Sequence, residues 1–203
     1  MATSKFNICS QALTKLGKGP ISSFTDVSNT EAAVMCGLLW DDESKFIQSC
    51  FSWRFNSTKQ DLSILGVTPV NEWTYAYQLP DHLNLRAVYN SSDAGARPMT
   101  DYEIFGNELY TDSTVISIDF QVEKDVPYWP PYFVQFAIAH FASVLAPAIT
   151  NKADISQYWD EMAWGPKQDN RRGGLFGVAK DIDSKIMPAE PIRSNELIAA
   201  RFS

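Results

Sequence analysis

Apolar residues recur at three- and four-residue steps along the first fifty positions. Phe6, Cys9, Leu13 and Leu16, with Ala12 alongside, predict an opening helix that Gly17, Gly19 and Pro20 stop. Ser28-Asn-Thr-Glu31 reads as a capping box, in which serine and glutamate each satisfy a free backbone amide of the other's residue. The helix it starts is predicted to reach about Cys50. Val34-Met35, Leu38-Leu39 and Phe46-Ile47 keep helical spacing, and Asp41-Asp-Glu-Ser-Lys45 is its solvated face. The period changes to two at Phe51-Ser-Trp-Arg-Phe55, which predicts a strand. Further strands are predicted around residues 73–77, 85–89, 102–105, 108–110 and 115–122. Gly106-Asn107 suits a hairpin turn, since both residues tolerate positive φ. Strict alternation in Ile116-Ser-Ile-Asp-Phe-Gln-Val122 predicts one wet and one buried face.

Pro127-Tyr-Trp-Pro-Pro-Tyr132 opens a third helix, predicted to run to about Leu145 and to be closed by Pro147. Its apolar run, Tyr132 to Ile149, contains Gln135, His140, Ser143 and Pro147 and reads as a buried core helix rather than a membrane span. A fourth helix follows Asn151, with Ile155, Tyr158, Trp159 and Met162 on one face, and Gly165-Pro166 interrupts it. Beyond Arg171-Arg-Gly-Gly174 the period dissolves. The segregation of helices and strands predicts an α+β fold. Residues 1–52 and 127–172 form a helical domain in this reading, residues 53–126 an antiparallel strand-rich insertion, and residues 173–203 an extended C-terminal arm.

Composition adds a core and a charge asymmetry. The 203 residues are 45% hydrophobic and 13% aromatic, which excludes wholesale disorder. The net charge is -7, and residues 61–150 hold three basic against eleven acidic side chains. Such a balance argues against a protein whose main task is gripping nucleic-acid phosphate. Cys9, Cys36 and Cys50 are too few and too far apart in sequence for a disulfide scaffold, and read as buried thiols in a reducing compartment. The residues after Met1 carry no recognisable export signal. Asn56-Ser-Thr58 and Asn90-Ser-Ser92 are then chance matches to a glycosylation pattern.

Candidate chemistry is sparse. His82 falls in a turn and His140 within the apolar helix, where a satisfied core histidine is expected. The cysteines and histidines have no zinc-ligand spacing, and no phosphate loop, dinucleotide fingerprint or nucleophile elbow is present. The carboxylate pairs Asp41-Asp42 and Asp101/Glu103 read as solvated surface. Arg171-Arg172 is the one adjacent basic pair, a candidate contact for DNA in a channel or for a partner. No catalytic, metal or cofactor residue is expected.

Four motifs in order resemble a known family. Asn7-Ile-Cys-Ser-Gln-Ala-Leu-Thr-Lys-Leu-Gly17 with Pro20-Ile21 opens the chain, and Phe51-Ser-Trp-Arg-Phe55 ends the second helix. Trp73-Thr-Tyr-Ala-Tyr-Gln-Leu-Pro-Asp81 and Tyr102-Glu-Ile-Phe-Gly-Asn-Glu-Leu-Tyr-Thr111 follow. Together they are similar to the tail tubular protein A group, the head-to-tail adaptors of short-tailed bacteriophages, over roughly residues 5–165. The break at Gly165-Pro166 departs from that pattern, where a longer helix is expected. The resemblance implies a structural virion protein, made in the host cytoplasm and placed at the head–tail junction. It implies a ring, usually dodecameric, that binds the portal protein above and the tail nozzle below while DNA passes through without sequence-specific contact. It implies no enzyme activity, cofactor or membrane. In this reading Leu175, Phe176, Ile192, Leu197, Ile198 and Phe202 of the arm are the portal anchors. The alternatives are a small acidic Asp/Glu-dependent hydrolase and a soluble ligand-binding α+β domain.

Overall fold

The computed structural model describes residues 4–25, 27, 30–66, 69–70, 72–91 and 97–186. Among the described residues, five α-helices and six strands are arranged in blocks, which makes the fold α+β, with helices toward both ends and strands between them. Helix α1 (Lys5–Lys15) begins where the Ser4 hydroxyl accepts the Asn7 N–H at 3.2 Å. It ends at Gly17, whose φ of +75° lets the chain double back so that the Lys18 N–H reaches the Leu13 carbonyl. Helix α2 (Thr30–Ser49) has the length its pattern predicts. Ser28 and Asn29 of the expected capping box lie outside the described residues.

Residues 51–55 are not a strand, contrary to their alternation. Their aromatic side chains all turn toward the helices. Trp53 is fully buried, its indole N–H donates to the Ile47 carbonyl, and its ring meets Phe133, Phe136 and Phe176. The Arg54 N–H that a strand partner would take is bound instead by a carboxylate of a distant helix. Pairing starts later, at β1 (Ser57–Leu62), a largely polar segment whose sequence gives no strand signal.

Two antiparallel three-stranded sheets follow among the described residues. One has the order β1-β6-β3 and the other β2-β5-β4. Here β2 is Tyr75–Gln78, β3 Asn84–Tyr89, β4 Glu103–Phe105, β5 Glu108–Thr111 and β6 Ile116–Gln121. Gly106, at φ +61°, makes the β4–β5 hairpin turn as the sequence predicts. Tyr77, Leu79, Val88, Leu109, Ile116, Ile118 and Phe120 form this region's own apolar cluster. Strand β6 is central, so its second face is not wet as its alternation suggests. Asp119 sits under Arg86, and Gln121, fully buried, donates to the Phe51 carbonyl and Asn56 Oδ1.

The larger core surrounds helix α3 (Pro131–Thr150). This helix is long and apolar enough to cross a membrane by length and composition, yet it lies against α1, α2, α4 and α5. It does not stop at Pro147 but runs through it to Thr150. The proline removes the amide that would bind the Ser143 carbonyl, and the Ser156 hydroxyl of α4 (Ala153–Trp164) donates to that carbonyl at 2.9 Å. On α4, Ile155 and Trp159 pack on the core as expected, but Tyr158 and Met162 are exposed.

The expected extended arm needs correction. Residues Gly174–Ser184 form helix α5, packed on α3 and α4. Leu175 and Phe176 pack against the main core, and the Phe176 ring meets those of Trp53, Phe136 and Trp164. Both are half-buried in these contacts and so do not lie on a free arm. The apolar residues here keep a helical step (Leu175, Val178, Ala179, Ile182), but the flanking glycines conceal it. Ile192, Leu197, Ile198 and Phe202 lie outside the described residues.

Candidate functional site

The polar groups with chemical potential are held in structural roles. His140 on α3 is 4% exposed. The Trp164 indole can only donate, so His140 Nδ1 accepts from it at 3.2 Å, and Nε2 donates to Glu43 Oε2 of α2 at 2.8 Å. The hydrogen bond from His140 holds the Glu43 carboxyl below the usual carboxylate range, against an opposing effect of burial. Both ring nitrogens are occupied, so no lone pair is left to act as a base. His82 is exposed, with Nδ1 2.8 Å from the Pro80 carbonyl oxygen.

A second buried carboxylate escapes sequence reasoning. Asp183, near the end of α5, is 1% exposed and accepts the Arg54 N–H at 3.0 Å and the Tyr132 hydroxyl at 2.6 Å. Burial, with Asp183 opposite, pushes the Tyr132 phenol well up. The triad fastens α5 to both the 51–55 turn and the start of α3. Its one sequence signal is spacing, for Asp183 stands four residues after Ala179 and seven after Phe176, on the buried face of α5.

A third set seals the helices to the first sheet. The Lys124 N–H donates to Gln48 Oε1, Asn56 Nδ2 to the Gln48 carbonyl, and Asn84 Nδ2 to Gln121 Oε1 and the Ser49 carbonyl. Gln48 Nε2 is the one buried side-chain polar atom without a partner among the described residues.

Beside this seam lies an open polar cleft of about 680 Å³, lined among others by Cys50, Asn84, Arg86 and Asp119. Arg86 is committed to Asp119 at 3.6 Å and to the Ser57 hydroxyl at 2.9 Å. Burial and the nearby Glu43 charge push the Cys50 thiol up to about 11, so it stays protonated near neutral pH and is a poor nucleophile. Cys9 and Cys36 are buried free thiols facing each other across α1 and α2, and their hydrogen bond, with burial, pushes the Cys9 thiol far up. Among the described residues no group of three His, Cys, Asp or Glu side chains could hold a metal ion.

The sequence-predicted basic pair is placed at the α4–α5 corner. Arg171 is exposed, adopts φ +56° and pairs with Asp160 at 3.2 Å, and Arg172 is exposed beside it. Leu175 and Phe176, half-buried against the main core, are far less exposed than this pair.

Some exposed apolar residues stand in small groups on separate faces. Val34 and Leu38 stand exposed on the outer face of α2, and Leu38 is 69% accessible. Ile104 and Phe105 are exposed on β4 at the hairpin, and Tyr158, Met162, Val178 and Ile182 are exposed on α4 and α5. Comparison of the chain with protein-family models gives no match, and comparison with curated proteins gives none either.

Proposed function

We propose that this chain is a structural adaptor of a tailed-phage virion, a ring-forming piece between portal and tail nozzle. The observation that carries the reading is the grouping of exposed apolar residues on three separate faces: Val34 and Leu38 on the α2 ridge, Ile104 and Phe105 at the β4–β5 hairpin, and Tyr158, Met162, Val178 and Ile182 on the α4–α5 side. Contiguous apolar surface on a soluble protein marks contact with other macromolecules. Several such faces on one small chain suit a part with several neighbours. The four family-like motifs support the same reading.

In this account the α2 ridge meets a sibling, giving a heterologous contact that closes by rotation into a ring. The hairpin faces the nozzle. The portal contact falls mainly to residues 187–203, because Leu175 and Phe176 are half-buried against the main core. Arg171 and Arg172 sit on an exposed corner suited to a partner or to transient DNA contact, and the chain's net charge of -7 keeps passing DNA from sticking. The chain performs no chemistry and takes no cofactor.

The test is sedimentation of the purified protein alone and with the portal ring of the phage that encodes it. Co-sedimentation with portal as a multi-copy ring is expected. A protein that ignores portal at micromolar concentration contradicts the reading.

A further inference from the structure

A cleft of about 530 Å³ opens between the start of α1, the middle of α2 and the linker that leads from β6 to α3. Phe6, Trp40, Val126, Pro127 and Trp129 make its apolar walls. The linker is pinned through its backbone. The Trp129 indole donates to the Lys124 carbonyl at 2.7 Å, and the Lys124 N–H donates to Gln48 Oε1 at 2.9 Å. That second bond commits the oxygen of the Gln48 amide to the linker and leaves its nitrogen over. Gln48 is 1% exposed and borders the cleft, and its Nε2 finds no acceptor among the described residues. One turn earlier on the same face of α2, Ser44 also borders the cleft. Its hydroxyl donates to the Asp41 carbonyl at 3.1 Å, and its oxygen can still accept.

We propose that this cleft receives a short extended segment of another protein chain, one of whose backbone carbonyls accepts from Gln48 Nε2. Three observations select that guest. A buried N–H without a partner is costly, so the site calls for an acceptor. A single water takes up about 30 Å³, a small part of the space, so the cleft has room for a larger group. The rim carries both signs of charge. Lys5 and Lys124 stand against Asp41 and Asp125, and Glu123 is paired with Lys45 at 3.8 Å. Such a rim does not select an ion, so the acceptor belongs to a neutral group. A peptide unit is neutral and brings an acceptor and a donor together, its carbonyl for Gln48 and its N–H for the Ser44 oxygen. The aromatic and aliphatic walls then take the apolar side chain next to that unit. The segment is extended because a helix has already spent these backbone groups on its own hydrogen bonds. The site rests on Gln48 and the cleft alone, so it holds or fails separately from the adaptor reading.

The test is NMR of the full chain, isotope-labelled, titrated with the capped peptide acetyl-alanyl-leucyl-alanine amide. The Gln48 side-chain amide protons and the Trp129 indole N–H should shift saturably, and intermolecular NOEs should join the peptide's leucine methyls to Val126 and Phe6. Acetamide, the same neutral group without a chain, and isovalerate, a carboxylate with the same apolar group, should each bind weaker by about tenfold or more. Equal binding of acetamide would mean a small amide ligand, and equal binding of isovalerate an anion site; either result overturns the proposal. So do NOEs to another part of the chain, or no shift up to about 10 mM peptide. A long-lived water at Gln48 Nε2 that the peptide does not displace would leave the cleft to solvent and likewise overturns it. Gln48→Glu keeps an acceptor for the Lys124 N–H and removes the donor, so it should weaken peptide binding about tenfold while the backbone shifts of α2 hold. Undiminished binding in that variant counts against the proposal. Should the variant fail to fold, the NOE pattern of the parent still decides.

Discussion

Asp183 shows how a single polar side chain can hold an element in place. Its carboxylate satisfies a backbone amide and a phenol inside an apolar core, so its removal leaves two buried donors unpaired. Asp183→Ala is expected to destabilise the protein by about 3 kcal/mol, read by urea unfolding. Tyr132→Phe should cost less and should also flatten the alkaline limb. The Tyr132 phenol is raised in the folded state, so its contribution is complete below the unfolded phenol value of about 10 and is lost as pH rises beyond it. Glu43 behaves with the opposite sign. Its folded carboxyl is depressed, so its contribution is present above the ordinary carboxylate value and is lost as pH falls through the lowered one. Thermal melts of Glu43→Gln between pH 2 and 7 should therefore depend less on acid than those of the parent. An equal acid dependence would mean that the His140 contact contributes nothing.

The elements whose residues bury along one period were legible in the sequence. Helices α1 and α2 show themselves by spacing, and the β4–β5 hairpin by Gly106-Asn107. Three elements were misread because a long-range contact outweighs the local signal. The turn at 51–55 alternates like a strand, but Trp53 needs the aromatic core and Arg54 meets Asp183. Pro147 reads as a stop, but Ser156 replaces the lost bond from another helix. Ser156→Ala should cost about 1 kcal/mol and fray the α3 C-terminus, detectable as faster amide exchange in 147–151. Helix α5 hides behind Gly173-Gly174. The structure shows why Gly174 is there: at φ +59°, a Cβ on it would lie 2.4 Å from the Gly165 amide nitrogen and 2.7 Å from the Trp164 carbonyl carbon. Gly174→Ala should therefore destabilise by at least about 2 kcal/mol and loosen α5. Of the candidate site, the exposed position of Arg171-Arg172 was legible. The Asp183 and Gln48–Asn56–Gln121 networks were not, since their members lie far apart in the chain and carry no local pattern.

At the scale of the molecule, two apolar clusters are joined by a polar seam, and polar side chains fasten the helices to one another and to the first sheet. Its buried ionisable groups are engaged by neighbours, and its outward apolar residues stand on separate faces. That distribution suits a part that transmits position between neighbours. Leu38→Asp should leave the melting temperature within a few degrees of the parent, because Leu38 is 69% exposed, yet abolish self-assembly on portal. Loss of folding in that variant would show that the α2 ridge is core. The most direct measurement of the adaptor role is electron microscopy of particles from a phage deleted for this chain. The account predicts heads that lack tails and have lost their genomes. Tailed particles that retain their DNA would contradict it.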